Sequence, residues 1–287
     1  MSRPRPECGQ TATFPGNASQ SQAKNPQAWN RTTMIFCASP MDTDNYLHFA
    51  GPTRDKFVYR IISVERLFEL FASKQNVLVK PKKWEDPFEN FILKGRIRLP
   101  DGASASFGFR DQFYGQCWTL QSASDAMWRI YSPKSDAVRV RSTVRKLADS
   151  LWRFCGEWAP HEAFIGKVRY LRREKLERFA RGLLRSEHGP LSMRLFATTL
   201  LVKRPAFKHE REVRLIFKPH DEKNAGCDLF PYPIDPNDLI DQIMIDPRRA
   251  EKDADAIKHE IKSKTGFGGP IKRSLLYAPP PTWTIPL

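Results

Sequence analysis

Two glutamates and an arginine, Glu210, Glu212 and Arg214, stand at alternate positions in the run Lys208 to Phe217, Lys-His-Glu-Arg-Glu-Val-Arg-Leu-Ile-Phe. The run alternates polar and apolar residues in the way of a half-buried strand. Side chains two apart share a face there, so the three charged groups point one way while Val213, Leu215 and Phe217 point into a core. Two carboxylates one strand repeat apart repel unless a cation, a hydrogen-bond donor or a proton stands between them. The residue types allow two explanations: an acid–base ladder with Arg211, Arg214 and arginines of neighbouring strands, or a catalytic pair.

Other residues could join such a site. Arg60 sits inside the strand-like run Phe57 to Ile62, where a charged side chain must face solvent or meet a partner, either an acid such as Glu210 or Glu212 or a phosphate. Asp86 and Glu89 lie in Trp-Glu-Asp-Pro-Phe-Glu-Asn, where turn and capping duty accounts for them as well as acid catalysis would. Asp86, Glu89, Glu210 and Glu212 together are enough acids for the divalent cation of a metal-dependent nuclease. They would have to converge from two distant segments, and none of the six histidines has metal-ligand spacing to another, so the site is read as metal-free.

The elements that must position these groups follow from periodicity. Strands are expected at Phe57 to Ile62, Val77 to Val79, Gln116 to Leu120, Ala137 to Arg141, Lys167 to Leu171, Gln242 to Ile245 and Ile271 to Tyr277. Helices are expected after the caps Ser63, Ser124 and Thr143, from Arg172 to Arg185, from Leu191 to Thr199 behind Pro190, and from Ala250 to Lys264. Strands mixed irregularly with helices of unlike length imply an α+β fold with a mixed, mostly antiparallel sheet. No glycine-rich phosphate loop is present. Residues 1–50, rich in Ser, Pro, Gln, Asn and Thr, read as a disordered extension, with Met41 a plausible true start; residues 51–278 read as one domain and 279–287 as a Pro-rich tail.

Composition bounds the partners. The net charge is +15, and from Arg141 to Lys218 there are 19 Lys and Arg against 8 Asp and Glu, a local excess of 11. A field of that sign attracts phosphates. Arg178, Arg181 and Arg185 form a basic stripe on the helix after Arg172, suited to a phosphate backbone and equally to a solvated face. The apolar runs are too short to span a bilayer and no secretory signal opens the chain, which places it in the cytoplasm. Five scattered cysteines without a Cys-x-x-Cys pair read as free thiols.

Several short pieces also carry a resemblance. Val58-Tyr59-Arg60, Asp86-Pro87-Phe88-Glu89, Cys117-Trp118-Thr119, Met127-Trp128 with Tyr131, Val168 and Tyr170, Lys203 with Glu210, Glu212 and Arg214, and Met244-Ile245-Asp246-Pro247 occur in the order and spacing of the bacterial domain-of-unknown-function 2971 family. The likeness runs from about Phe57 to Tyr277. More distantly, an arginine in the first strand, a Ser/Thr-bearing strand and a later Glu-x-Glu resemble the arginine-type ADP-ribosyltransferases, although Cys117-Trp118-Thr119 departs from their usual Ser-Thr-Ser. That likeness implies an ADP-ribosyltransferase-like fold and NAD as substrate. Arg60 would hold the pyrophosphate, with Thr119 at the second matching position and Trp118 stacking on nicotinamide. Glu212 would stabilise the ribosyl cation and Glu210 would orient or deprotonate the acceptor.

Three functions are therefore expected of this sequence. The first is an NAD-dependent ADP-ribosyltransferase-like enzyme, a bacterial toxin or defence effector, acting on nucleic acid or another phosphate-rich partner. The second is a non-catalytic nucleic-acid-binding module in which Arg60, Glu210, Glu212 and Arg214 are a structural ion-pair network. The third is the metal-dependent nuclease.

Overall fold

Four helices begin where a hydroxyl side chain can accept an otherwise unpaired backbone N–H. The computed structural model describes residues 45–278 apart from 50, 85, 87, 90, 99–101, 107–110, 185–191 and 222–225. Within them, Ser63 accepts from the N–H of Arg66 at 3.2 Å, Ser124 from Met127 at 3.3 Å, Thr143 from Lys146 at 3.1 Å and Ser192 from Leu195 at 3.3 Å. Arg185 and the expected N-terminal extension up to residue 44 and Pro-rich tail lie outside the described residues.

In chain order the elements are β1 (Tyr46–Leu47), β2 (Phe57–Ser63), α1 (Val64–Ser73), β3 (Gln75–Val79), α2 (Phe91–Lys94), β4 (Arg96–Arg98), β5 (Ser104–Ser106), β6 (Tyr114–Thr119) and α3 (Asp125–Tyr131). There follow β7 (Ala137–Thr143), α4 (Val144–Cys155), α5 (Ala159–Glu162), β8 (Ala163–Lys167), β9 (Arg169–Tyr170), α6 (Arg173–Leu184), α7 (Met193–Thr199), β10 (Val202–Lys203) and β11 (Glu212–Phe217). The chain closes through β12 (Leu229–Pro233), α8 (Pro236–Leu239), β13 (Gln242–Ile245), α9 (Glu251–Thr265) and β14 (Ile271–Arg273).

The fold is α+β. Among the described residues the main sheet has ten strands in the order β1-β8-β11-β6-β2-β7-β13-β14, with β3 attached to β6 and β12 to β3. All its pairings are antiparallel except β1 with β8 and β13 with β14. One face carries Val58, Val138, Val140, Val213, Leu215 and Ile243 into a core closed by Leu67 of α1, Leu147 and Leu151 of α4 and Ile261 of α9. The other face carries Phe164 and Ile216 against Leu93 of α2 and Phe196 of α7. The expected positions of Val213 and Leu215 hold, at 0% and 1% exposure. No helix among the described residues is long and apolar enough to cross a membrane.

Several expectations need correction. Tyr46 and Leu47, assigned by composition to the extension, form a buried strand on β8, because two apolar residues suffice where a neighbouring strand edge accepts them. β12 escaped notice because Pro231 and Pro233 argue against a strand, yet prolines are tolerated where no neighbour needs their N–H. Cys117 and Cys155 are free, but Cys227 is disulfide-bonded.

Gly166 in β8 has no room for a side chain: a Cβ would stand 2.2 Å from Leu201 Cδ1 and 3.0 Å from Leu47 Cβ. Gly166→Ala should therefore destabilise the protein by about 1–3 kcal/mol through overpacking. The loss is read as a lower urea midpoint at constant slope. An unchanged midpoint would show that β1 and the turn after α7 do not pack on β8 in this way.

Candidate active site

Register brings the chemistry together. Thr119 of β6 stands opposite Tyr59 of β2 on one side and Glu212 of β11 on the other, so three adjacent strands present one row on one face. Cys117 is likewise opposite Arg214. Glu212 therefore does share a face with Arg214, as expected. Glu210 reaches the same place differently. The strand begins at Glu212, not at Lys208, because Pro205 starts a 3₁₀ turn over Pro205–Glu210 and Arg211 takes the left-handed conformation at φ 45°. Thr119 fastens that turn by donating its hydroxyl to the carbonyl of Glu210. The N–H of Glu212 donates to Tyr170 Oη at 2.9 Å.

Behind the row lies a buried cluster of five charges. Lys203 Nζ is 2.8 Å from Glu89 Oε1, 2.5 Å from Glu210 Oε2 and 3.0 Å from Glu212 Oε1. Arg214 Nη2 is 2.5 Å from Glu212 Oε2 and 3.0 Å from Glu89 Oε1, while its Nη1 donates to the Leu200 carbonyl at 2.7 Å. The Arg214 guanidinium also lies 4.3 Å over the Trp84 ring. All five residues are at most 6% exposed. Asp86 is not part of the cluster. It accepts the N–H of Phe88 at 3.1 Å, as a turn residue does, and pairs with Arg204 at 2.8 Å.

The cluster tunes the two glutamates in opposite directions. Burial first, and then Glu212 beside it, push Glu210 up to about 7. Burial also opposes ionisation of Glu212, but Arg214, Glu210 and Lys203 outweigh it and hold its carboxyl below the usual range. Lys203 is held protonated because its carboxylate partners outweigh the cost of burial. Pairs of carboxyls pushed apart in this way divide acid and base roles between them.

Beside the cluster the sheet is open. β6 pairs with β2 only at Tyr59 and Thr119, and with β3 only at Val79 and Gly115, so no described strand covers that edge of β6 between Gly115 and Thr119. A cavity of about 230 Å³ occupies the gap. Arg60, Trp118, Thr119, Glu210 and Glu212 all line it, together with Tyr131, Gln116 and Cys117. Arg60 alternates with Tyr59 and so leaves β2 toward the other face, reaching the cavity through the split. Among the described residues it forms no ion pair and no side-chain hydrogen bond, and burial lowers its pKa. The expectation that Arg60 pairs with a glutamate thus fails, because Lys203 and Arg214 have taken that place. Trp118 is mostly core, at 4% exposure, and donates its Nε1–H to Gln116 at 2.7 Å.

Arg178 and Arg181 are exposed on α6 and take no part in the site. Three members were not singled out from the residues. Lys203 ends the apolar run Leu200-Leu201-Val202, and a charge at such a place was the available signal. Tyr131 donates its hydroxyl to Glu210 Oε1 at 3.3 Å, and Tyr170 supports Glu212. For both tyrosines the signals were their aromatic spacing and their place among the pieces of the resemblance.

No family model matches the chain, that of the domain-of-unknown-function 2971 family included, and no curated protein matches it. Among solved structures the chain is similar to Thermus sp. 2.9 DarT in complex with NAD+, at 11% identity and a TM-score of 0.36 over 77% of this chain and 96% of that one. The same protein in complex with carba-NAD+ gives 13% identity and 0.33 over 78% and 96%. In complex with ADP-ribosylated ssDNA it gives 11% and 0.35 over 76% and 93%. Likenesses this distant carry no argument about the chemistry of this chain, which rests on the geometry above.

Proposed function

We propose that the protein is an NAD-dependent ADP-ribosyltransferase-like enzyme with a nucleic acid as acceptor. One observation carries the reading: an arginine without a carboxylate partner among the described residues and two oppositely tuned glutamates line one cavity in a split sheet. A buried cation without an anion fits a ligand phosphate, and Arg60 can hold the NAD pyrophosphate through bidentate hydrogen bonds. The cavity, at about 230 Å³, is below the roughly 300–1,000 Å³ of sites that enclose a drug-sized ligand. It can therefore enclose one end of NAD, the nicotinamide and its ribose, beside Trp118 and Thr119.

The roles of the chain's own groups follow. Glu212, ionised and fixed by two cations, stabilises the positive charge that develops at the ribose carbon as the glycosidic bond breaks and nicotinamide departs with its electron pair. The acceptor's nucleophilic atom bonds to that carbon from the opposite side. Glu210 takes the proton the acceptor loses and passes it to solvent. The net charge of +15 and the exposed Arg178 and Arg181 favour a phosphate-rich acceptor.

A second reading is favoured by the completeness of the ion pairs around Glu89, Glu210 and Glu212, which is what a purely structural network in a nucleic-acid-binding module would show. The nuclease reading loses its basis. Lys203 Nζ stands among the three glutamates where a divalent cation would have to sit, and no group of three or more His, Cys, Asp or Glu among the described residues is arranged to hold a metal.

Arg60 separates the first two readings better than either glutamate, because its removal strands no carboxylate. Arg60→Gln should raise KM for NAD by about 10- to 100-fold, the loss of a charge-assisted contact, while the melting temperature stays level or rises. The measurement is nicotinamide release from NAD with RNA or DNA present. Absence of release by the wild-type protein leaves the module. Glu212→Gln should lower kcat by about 10²–10³-fold. It should also lower the melting temperature, since it leaves Arg214 buried with one carboxylate fewer.

The raised Glu210 carboxyl sets a pH dependence of stability. A carboxyl whose folded pKa lies above its unfolded value costs nothing while protonated in both states. Its cost grows as pH climbs from the ordinary glutamate range, about 4.5, to the folded value of about 7, and is constant above it. In thermal melts, Glu210→Gln should therefore gain on the wild type between pH 5 and 8. A difference in melting temperature that does not vary across that window would show that Glu210 is ionised throughout.

A further inference from the structure

An ammonium carries three donors, and those of Lys203 all face carboxylate oxygens, one each on Glu89, Glu210 and Glu212. None is left for a ligand, and Lys203 is not among the residues that line the cavity. The distribution of cations is uneven. Among the described residues Glu212 meets Lys203 and Arg214, whereas Glu210 meets Lys203 alone and has for its second oxygen only the neutral Tyr131 hydroxyl at 3.3 Å. Arg214 makes no ion pair with Glu210: its Nε donates to Glu212 Oε2 at 2.7 Å, its Nη1 donates to the Leu200 carbonyl at 2.7 Å, and its guanidinium lies over the Trp84 ring. Tyr170, the remaining neighbour on β9, accepts the backbone N–H of Glu212 and has no ion pair to offer. Three acids against two bases leave one negative charge in excess at a buried place, and one proton removes it.

We propose that Lys203 is the positioning residue of this site, drawing Glu210 and Glu212 together and easing release of the shared proton from Glu210 while Glu212 stays ionised. The consequence for turnover rests on the ADP-ribosyltransferase reading; the placement of the proton rests on the ion-pair geometry alone. Lys203 acts by orientation and charge: it draws the two carboxylates that line the cavity to one point behind its wall. It also lowers the cost of ionising Glu210, being the one cation paired with it among the described residues.

The test pairs a titration with kinetics on Lys203→Met, Lys203→Arg and the wild type. Side-chain carboxyl NMR of ¹³C-labelled glutamate, assigned through Glu210→Gln and Glu212→Gln, follows each group with pH, and nicotinamide release from NAD follows turnover. In the wild type Glu210 should titrate near neutrality and Glu212 well below it. Lys203→Met should move the Glu210 midpoint up by at least about one unit and carry the acid limb of kcat with it, about fivefold in kcat at pH 7 for the first unit and about tenfold for each further one. KM for NAD should stay within about threefold, since uniform ligand binding is untouched. Lys203→Arg, which keeps the charge, should restore most of the midpoint.

An unmoved Glu210 midpoint in Lys203→Met, or a kcat loss equal at all pH values, overturns the proposal while leaving the enzymatic reading in place. A shifted midpoint in a protein that never releases nicotinamide upholds the proton's position and removes the enzymatic reading. If Lys203→Met does not fold, Glu89→Gln serves instead. It removes one of the three carboxylates and should lower the Glu210 midpoint, and no change there overturns the proposal equally well.

Discussion

Five buried charges, three acids and two bases, constrain everything around them. None of these groups can be buried alone, and removing one partner leaves an uncompensated charge that costs several times what the pair contributes. The elements that supply them are therefore tied to one another by electrostatics: the turn that carries Glu89, the end of β10 at Lys203, the 3₁₀ turn at Glu210, and β11 with Glu212 and Arg214. The close approach of Trp84 belongs to the same arrangement. A Cβ at Gly115 would stand 2.8 Å from its ring, so only glycine lets the indole close over Arg214.

The opening beside the cluster has its origin in β6. Its far edge is fully paired with β11 over six residues, but on its near edge β2 and β3 each hold a single register position at opposite ends. The gap is bridged by side chains. Gln116 donates to the Val77 carbonyl at 3.0 Å and to Asn76 Oδ1 at 2.6 Å, and Asn76 donates to Tyr232 at 2.8 Å. Polar groups that a continued sheet would have paired are thus satisfied without closing it. The cavity is opened by strand pairing and walled in part by Trp84 and by the turn that carries Glu210.

Much of this was legible in the sequence where local physics decides. The caps at Ser63, Ser124 and Thr143 start their helices as hydroxyl chemistry requires, and the alternation of Val213, Leu215 and Phe217 gives the buried face of β11. What escaped was set by long-range geometry. The alternation from Lys208 onward continues a strand pattern through a turn, and nothing local shows that Arg211 is left-handed. Nothing local shows that Glu89, from a distant segment, joins Glu210 and Glu212 around Lys203. The positive excess between Arg141 and Lys218 likewise overstates the free field, since Lys203 and Arg214 are buried on Glu89, Glu210 and Glu212, and the half-exposed Arg204 is paired with Asp86.

The two glutamates also differ in how they are mounted. Glu212 belongs to a central strand held on both sides by neighbours, whereas Glu210 ends a six-residue turn fastened by the Thr119 hydroxyl, the N–H of Leu120 donating to the Arg211 carbonyl at 3.0 Å, and Lys203. A sheet centre tolerates little variation, while a surface turn between Pro205 and a left-handed residue can change sequence and even length. The fold thus separates a part that must stay fixed from a part that is free to diverge. Relatives that keep the strand and vary the turn would retain one half of the site's chemistry and acquire a different other half.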